Sequence, residues 1–362
     1  MRVLLVSNMY PNKEHPNYGV FVKNTEEILV KQGIQIDKIV MYKGENKFLK
    51  IISYLKYYIS IILNVLVKKY DVIYVHYAAH NAIPLLILKK LKKGIRIYTN
   101  VHGSDIVPET HVHHRLQGLV TKLLKISCKI IVPSNYYKEL VEKKYRIEGG
   151  IEVFPSGGVN SNIFYPITDR EPLLEKMEIS PDYKYIGYVG RLDYKKGWDV
   201  LLQSIYILKN EGFMNDKKVI VVGNGKDINK FRNTLLELDL DKFVIHYTLL
   251  PQKKLNDIYN CLDVFCFPTM REGESLGLVG LEAMATGLPV IGSEMGGLLD
   301  YIKDGENGLF FSPGNKEELA IKIKEFFGYD AKFKAKMREQ SIHTAHKYEV
   351  KNIEGTLINI FL

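Results

Sequence analysis

VFCFPTMREGESLGLVGLEAMATG, residues 264–287, reads as a short apolar strand that turns at Pro268-Thr269 and passes through glycines into a helix. Val264-Phe265-Cys266-Phe267 carries no polar side chain, as expected of a parallel-sheet strand covered on both faces. Gly273 and Gly277 permit close backbone approach, residues 278–286 favour a helix, and Gly287 stops it. A strand, a glycine-containing turn and a helix N-terminus together make an anion site. The first-turn N–H groups have no partner within the helix, and its dipole is positive at that end. Glu274 stands before the helix and Glu282 inside it. Eight helical residues would separate the two carboxylates by roughly 12 Å, enough to hold hydroxyls at opposite ends of one ligand.

A second segment of the same kind precedes it. Gly190-Arg191-Leu192-Asp193-Tyr194-Lys195-Lys196-Gly197 directly follows the apolar residues 185–189. Arg191 and Lys196 therefore belong at the carboxyl edge of a parallel strand, where open α/β sheets bind ligands. A guanidinium and an ammonium placed there neutralise a diphosphate whose charge grows as it leaves.

Outward from these segments, short apolar runs alternate with helical stretches along the whole chain. Strands are expected at residues 3–6, 36–41, 71–77, 96–101 and 129–132, then at 185–189, 219–222, 244–246, 264–267 and 290–291. A helix over 20–32 ends at Gly33. The pattern breaks in the loop Ser156-Gly157-Gly158-Val159-Asn160, so a domain of residues 1–165 should precede one of 166–345. Residues 49–69 read as a domain helix with one broad buried face. The alternative is an interfacial helix with Lys50, Lys56, Lys68 and Lys69 near lipid headgroups.

Size and composition narrow the class. A chain of 362 residues, 46% hydrophobic and 25% charged, suits two soluble globular domains. Its three cysteines, Cys128, Cys261 and Cys266, form no CxxC pair, which fits a reduced cytosol rather than a disulfide or zinc framework. The apolar run near Met1 is too short for a signal peptide, and no stretch reaches the roughly 20 apolar residues that span a bilayer. The net charge of +9 is uneven: residues 1–165 hold 24 Lys and Arg against 12 Asp and Glu. That basic half could face an anionic membrane or a phosphorylated substrate, and no nucleic-acid motif accompanies it.

Glu274 and Glu282 in an E-x7-E spacing, the following Ala283-Met284-Ala285 and Gly287-Leu288-Pro289-Val290, and the GRLDYKKG segment resemble the retaining GT-B glycosyltransferases of family four. Val222-Gly223-Asn224-Gly225, Gly296-Gly297 and Asp304-Gly305-Glu306-Asn307-Gly308 fall where that family carries similar loops. The resemblance implies an α/β fold of GT-B architecture, two Rossmann-like parallel-sheet domains facing a central cleft. It also implies a C-terminal helix, residues 346–362, packing back on the N-terminal domain. By it, Gly190, Arg191 and Lys196 bind the donor diphosphate, Glu282 the ribose hydroxyls and Glu274 the donor sugar. The backbone at Leu276, Gly277, Leu278 and Val279 caps the phosphates, Ser275 belongs to the same donor site, His102 faces the reacting sugar, and Gly19 belongs to a donor-side loop.

The expected activity is retaining transfer of a sugar from a nucleotide-diphosphate donor, UDP favoured and GDP possible, to a saccharide or lipid-linked saccharide. It would serve surface polysaccharide synthesis in the cytoplasm or at the inner membrane face. No cofactor or metal is expected: Asp239-Leu240-Asp241 reads as a polar turn, and His111, His113 and His114 as a helix start. The chain departs from the family at Tyr18-Gly19-Val20, with one glycine where many members have two, and at Thr248, where a glycine is usual. Gly157-Gly158-Val159-Asn160 likewise replaces the frequent Asn-Gly-Val-Asp. The alternatives left open are a nucleotide-sugar epimerase of the same architecture and a non-catalytic nucleotide-sugar-binding partner. A nicotinamide enzyme is disfavoured because Asn8-Met9-Tyr10-Pro11 replaces G-x-G-x-x-G after the first strand.

Overall fold

The computed structural model describes residues 1–15, 18–43, 47–155 and 157–362, leaving out the side chains of 47–49. Ser156, quoted in the loop above, lies outside the described residues. The chain forms two compact units, Met1–Gly157 with Ile353–Leu362, and Gly158–Asn352. The change therefore comes before the boundary expected after residue 165. Val159 and Phe164 already pack in the second unit's core, and Val159 bridges to Glu349.

The first unit alternates β1 (Arg2–Ser7), α1 (Val20–Lys31), β2 (Gln35–Val40), α2 (Lys47–Val67), β3 (Val72–His76), α3 (Ala78–Leu91), β4 (Ile97–Asn100), α4 (His111–Ile126), β5 (Lys129–Val132), α5 (Asn135–Tyr145) and β6 (Ile151–Val153). The sheet is parallel, in order β2-β1-β3-β4-β5-β6. Both faces are covered because the strands are apolar on both sides. Leu4 and Val6 pack under α2, α3, α4 and α5, whereas Val3 and Leu5 pack under α1 and the C-terminal helix.

The second unit runs α6 (Glu171–Lys176), β7 (Lys184–Val189), α7 (Trp198–Asn210), β8 (Lys217–Val222), α8 (Ile228–Glu237), β9 (Val244–Tyr247), α9 (Gln252–Cys261), β10 (Val264–Phe267), α10 (Leu278–Ala285), β11 (Val290–Ser293), β12 (Gly308–Phe311), α11 (Lys316–Gly328) and α12 (Ala331–Lys347), then the start of α13 (Val350–Phe361). Its parallel sheet has the order β12-β11-β10-β7-β8-β9. Counted from β7, that is the doubly-wound order 3-2-1-4-5-6, and its direction reverses between β7 and β10. In the first unit the reversal lies between β1 and β3.

Two elements differ from expectation. The C-terminal helix joins the first unit from Ile353 rather than from residue 346, through the buried Ile353, Leu357, Ile360 and Phe361. Helix α2 has a narrow buried face instead of a broad one: Tyr57, Ile61 and Val65 sink into the core, while Ile52, Leu55, Ile59, Leu63 and Leu66 stay exposed. By length and composition, Lys50–Val67 could cross a membrane. Burying the three core side chains on the sheet contributes about 1.5–3 kcal/mol each.

Candidate active site

Both decisive segments stand at the second unit's switch point, one after β7 and one after β10. Tyr188, buried on β7, donates toward the carbonyls of both Arg191 and Lys196 at 3.3 Å, holding the turn between them. Gly197 caps α7 with φ +78°, and a Cβ there would lie 1.7 Å from the Pro268 carbonyl oxygen. The chain after β10 is thus laid directly on the first loop, and Met270 N–H donates to the Lys195 carbonyl at 2.8 Å. Gly277 begins α10 with φ +75°, its backbone against the Phe267 ring.

This lacing brings Lys196 and Glu274 together. The ammonium lies 2.7 Å from the carboxylate, with both side chains mostly buried at 14% and 12% exposure. Thr269 Oγ1 donates to the same carboxylate oxygen at 3.2 Å. Burial pushes the Glu274 carboxyl up, but Lys196, Arg271 and Thr269 outweigh it and hold the group below its ordinary range. Glu274 is therefore a carboxylate at neutral pH, and its partner is a fixed cation.

Gly190, Arg191, Lys196, Glu274, Gly277, Leu278 and Val279 all line one cavity of about 380 Å³. Leu278 and Val279 open α10, where backbone N–H groups have no intrahelical partner. Arg191 sits at the cavity's exposed side, paired with Asp193 at 3.0 Å. Thr248, Leu249 and Leu250 supply another wall. Ser275 and Leu276 do not line the cavity, and the Leu276 side chain is buried in the core. Glu282 lies farther along α10, with Tyr259 Oη 3.5 Å from its carboxylate and 3.2 Å from the Val279 carbonyl. Packed on most sides although not sealed, Glu282 has its carboxyl pushed by burial up to about 7, against the lowering contact of Tyr259. Asp239 lies in the turn between α8 and β9, and Thr110 caps α4 by accepting the His113 N–H.

In the first unit, Gly19 caps α1 with φ +74°, and His102 follows β4. Phe21, two residues past Gly19, brings the two together: its ring centroid is 4.5 Å from that of His102. Two further residues complete the cluster. His76, buried at the end of β3, places Nδ1 2.9 Å from His102 Nε2, with the rings nearly parallel. Asp105 accepts the N–H groups of Ala78 at 3.0 Å and His102 at 2.9 Å. Burial draws the His102 imidazole down to about 3 and lowers His76 as well, so both rings are neutral near pH 7. Burial also raises Asp105 to about 6, against four backbone donors. Sequence reasoning missed His76, Phe21, Asp105 and Tyr188. His76 and Tyr188 could have been found as polar groups on apolar strands close to their carboxyl ends.

Comparison with known proteins identifies the family. Residues 169–344 match the family described as glycosyl transferases group 1, and residues 2–158 match glycosyltransferase family 4. A D-inositol 3-phosphate glycosyltransferase of Corynebacterium aurimucosum is 26% identical over 306 residues, covering 81% of this chain and 71% of that protein. A sucrose-phosphate synthase from Thermosynechococcus elongatus superposes with a TM-score of 0.82 at 17% identity, over 100% of this chain and 98% of the other. Anabaena HepE, solved in complex with UDP, gives 0.78 at 16% identity over 100% and 99%. Structural likeness at such identities shows the fold, the GT-B architecture expected from the sequence. With the two family models together spanning both sheets, and the strand-loop-helix cavity where such folds bind ligands, the chain belongs to the group 1 glycosyltransferases.

Proposed function

We propose that the protein is a retaining transferase that moves a sugar from a nucleotide-diphosphate donor, a UDP-sugar foremost, to a saccharide or lipid-linked saccharide on the cytoplasmic side. The observation that carries this reading is the walled-in Lys196–Glu274 pair in a cavity that also holds Arg191 and the start of α10. Arg191, Lys196 and the α10 N–H groups take the donor diphosphate. Glu274 orients the sugar, Glu282 the ribose, and His102 belongs to the reacting-sugar side. In the transfer, the bond from the anomeric carbon to the phosphate oxygen breaks. The acceptor oxygen bonds to that carbon on the same face, and its proton passes to the leaving phosphate. The protein supplies position and charge. No metal is required, because fixed cations and N–H groups meet the developing charge. Glu274 is not assigned as a nucleophile, since its carboxylate is engaged by Lys196 and Thr269. The UDP complex of the Anabaena neighbour supports that base first.

The test is to follow the melting temperature with UDP, GDP, ADP or NAD added, for the natural chain and for Arg191→Ala. A ligand at about 100 times its dissociation constant adds roughly 2.7 kcal/mol. One nucleoside diphosphate should stabilise, and Arg191→Ala should lose most of that gain. Stabilisation by NAD alone, or by none of the four, would sink the reading.

Glu282 gives the binding a pH dependence. Its carboxyl titrates near 7 in the free protein, and ribose hydroxyls donate best to the ionised form. UDP affinity should rise between about pH 6 and pH 8 and then level off. For folding alone the sign reverses: a raised carboxyl costs stability as pH climbs from the ordinary glutamate range to about 7. Calorimetric titration across this range should show the slope, and Glu282→Gln should flatten it. An unchanged slope in that variant would refute the role.

A further inference from the structure

Helices α2, α3 and α4, with α5, cover one face of the first unit's sheet, and α3 packs on both α2 and α4. Their outer side is unusual for a water-soluble layer. On α2, the residues Ile52, Leu55, Ile59, Leu63 and Leu66 are 43–56% exposed. At about 100° per residue they share an arc of roughly 80° opposite Tyr57, Ile61 and Val65, so α2 is apolar toward both the core and the outside. On α3, Ile83 and Ile87 are also exposed. With Leu119 and Ile126 of α4, they line a cavity of about 590 Å³ that Lys89, Lys90, Lys122 and Lys125 border.

The charges on these helices point one way. Together α2, α3 and α4 carry eight Lys or Arg and no Asp or Glu. A second copy of the chain would bring Lys89, Lys90, Lys122 and Lys125 against the same four cations, which opposes self-association through this face. Nucleic acid would satisfy the lysines but gives an isoleucine and leucine arc no apolar medium. A bilayer surface supplies both: an acyl boundary for the aliphatic arc and anionic headgroups for the cations around it. We propose that the α2–α3–α4 face is a docking surface for an anionic lipid bilayer, with the aliphatic arc of α2 entering the headgroup boundary. This goes beyond the transferase reading, and measuring stabilisation by UDP in parallel separates the failure of one from the failure of the other.

The test is co-sedimentation of the full chain with vesicles of phosphatidylcholine alone, or with about 30% phosphatidylglycerol, at about 50 mM and about 500 mM salt. Binding should be roughly tenfold or more stronger to the anionic vesicles at low salt and weaker at high salt. Ile59→Glu and the double variant Lys122→Glu/Lys125→Glu should each lower it by about tenfold, with stabilisation by UDP unchanged. If Ile59→Glu lowers the melting temperature, the lysine variant decides, because Lys122 and Lys125 are exposed. No binding, equal binding to both vesicle types, or binding that survives the decisive variant would overturn the proposal.

Discussion

Replacing Lys196 by methionine should lower sugar transfer by about 100- to 1,000-fold and also destabilise the protein. The activity loss follows from removing a fixed cation from the cavity where the leaving diphosphate would gather charge. The stability loss has a separate origin. Glu274 keeps a carboxylate at 12% exposure, and the ammonium 2.7 Å away offsets the burial that opposes ionisation. Breaking such a buried pair from one side costs about 3–5 kcal/mol. With Lys196 absent, only Arg271 and Thr269 are left to oppose the burial, and the carboxyl shifts upward. In the natural protein the lowered carboxyl contributes stability above the ordinary glutamate range, lost as pH falls through the folded value. In the variant that dependence should weaken. Lys196→Met/Glu274→Gln should recover most of the melting temperature and none of the activity. A double variant as unstable as the single one would show that the pair is not the cause.

The second large effect is expected at Gly197. Its φ of +78° and a notional Cβ 1.7 Å from the Pro268 carbonyl mean that alanine cannot enter unless the two ligand loops separate. The cost should reach about 3 kcal/mol or more, a fall of about 6–12 °C in melting temperature for a unit of this size. The response to UDP should vanish with it, since Arg191 and Lys196 sit on the displaced loop. Gly212→Ala is the control. Its φ of +75° is nearly the same, yet nothing lies within 4 Å, so only the left-handed backbone cost of about 1–2 kcal/mol applies. Equal losses in the two variants would exclude the loop contact as the cause.

The sheets were legible because their strands are unbroken apolar runs, a pattern that two-sided burial imposes locally. Ile151-Glu152-Val153 and Gly308-Leu309-Phe310-Phe311 escaped notice because they are short edge strands, one with a glutamate inside it and one opening on glycine. For α2, periodicity shows an apolar helix but cannot say which side meets the sheet when both sides are apolar. The site divides similarly. The loops carrying Arg191, Lys196 and Glu274 were legible from glycines placed after strands, and the structure gathers these residues around one cavity. That Lys196 pairs with Glu274, 78 residues away, depends on β7 and β10 being neighbours, which is a property of strand order. The stacked His76 and His102 depend in the same way on β3 lying beside β4.

The closing helix ties the order of synthesis to the order of folding. Ile353, Leu357, Ile360 and Phe361 fill a layer beside Tyr74 and Tyr98, yet the whole of Gly158–Asn352 is translated between the two halves of that layer. A nascent first unit leaves the ribosome with one side of its sheet covered by α1 but not by the closing helix. It must stay in that condition until the second unit has emerged, so chaperones would meet the amino-terminal half with this side half-covered and only the chain carrying its last helix with the side closed.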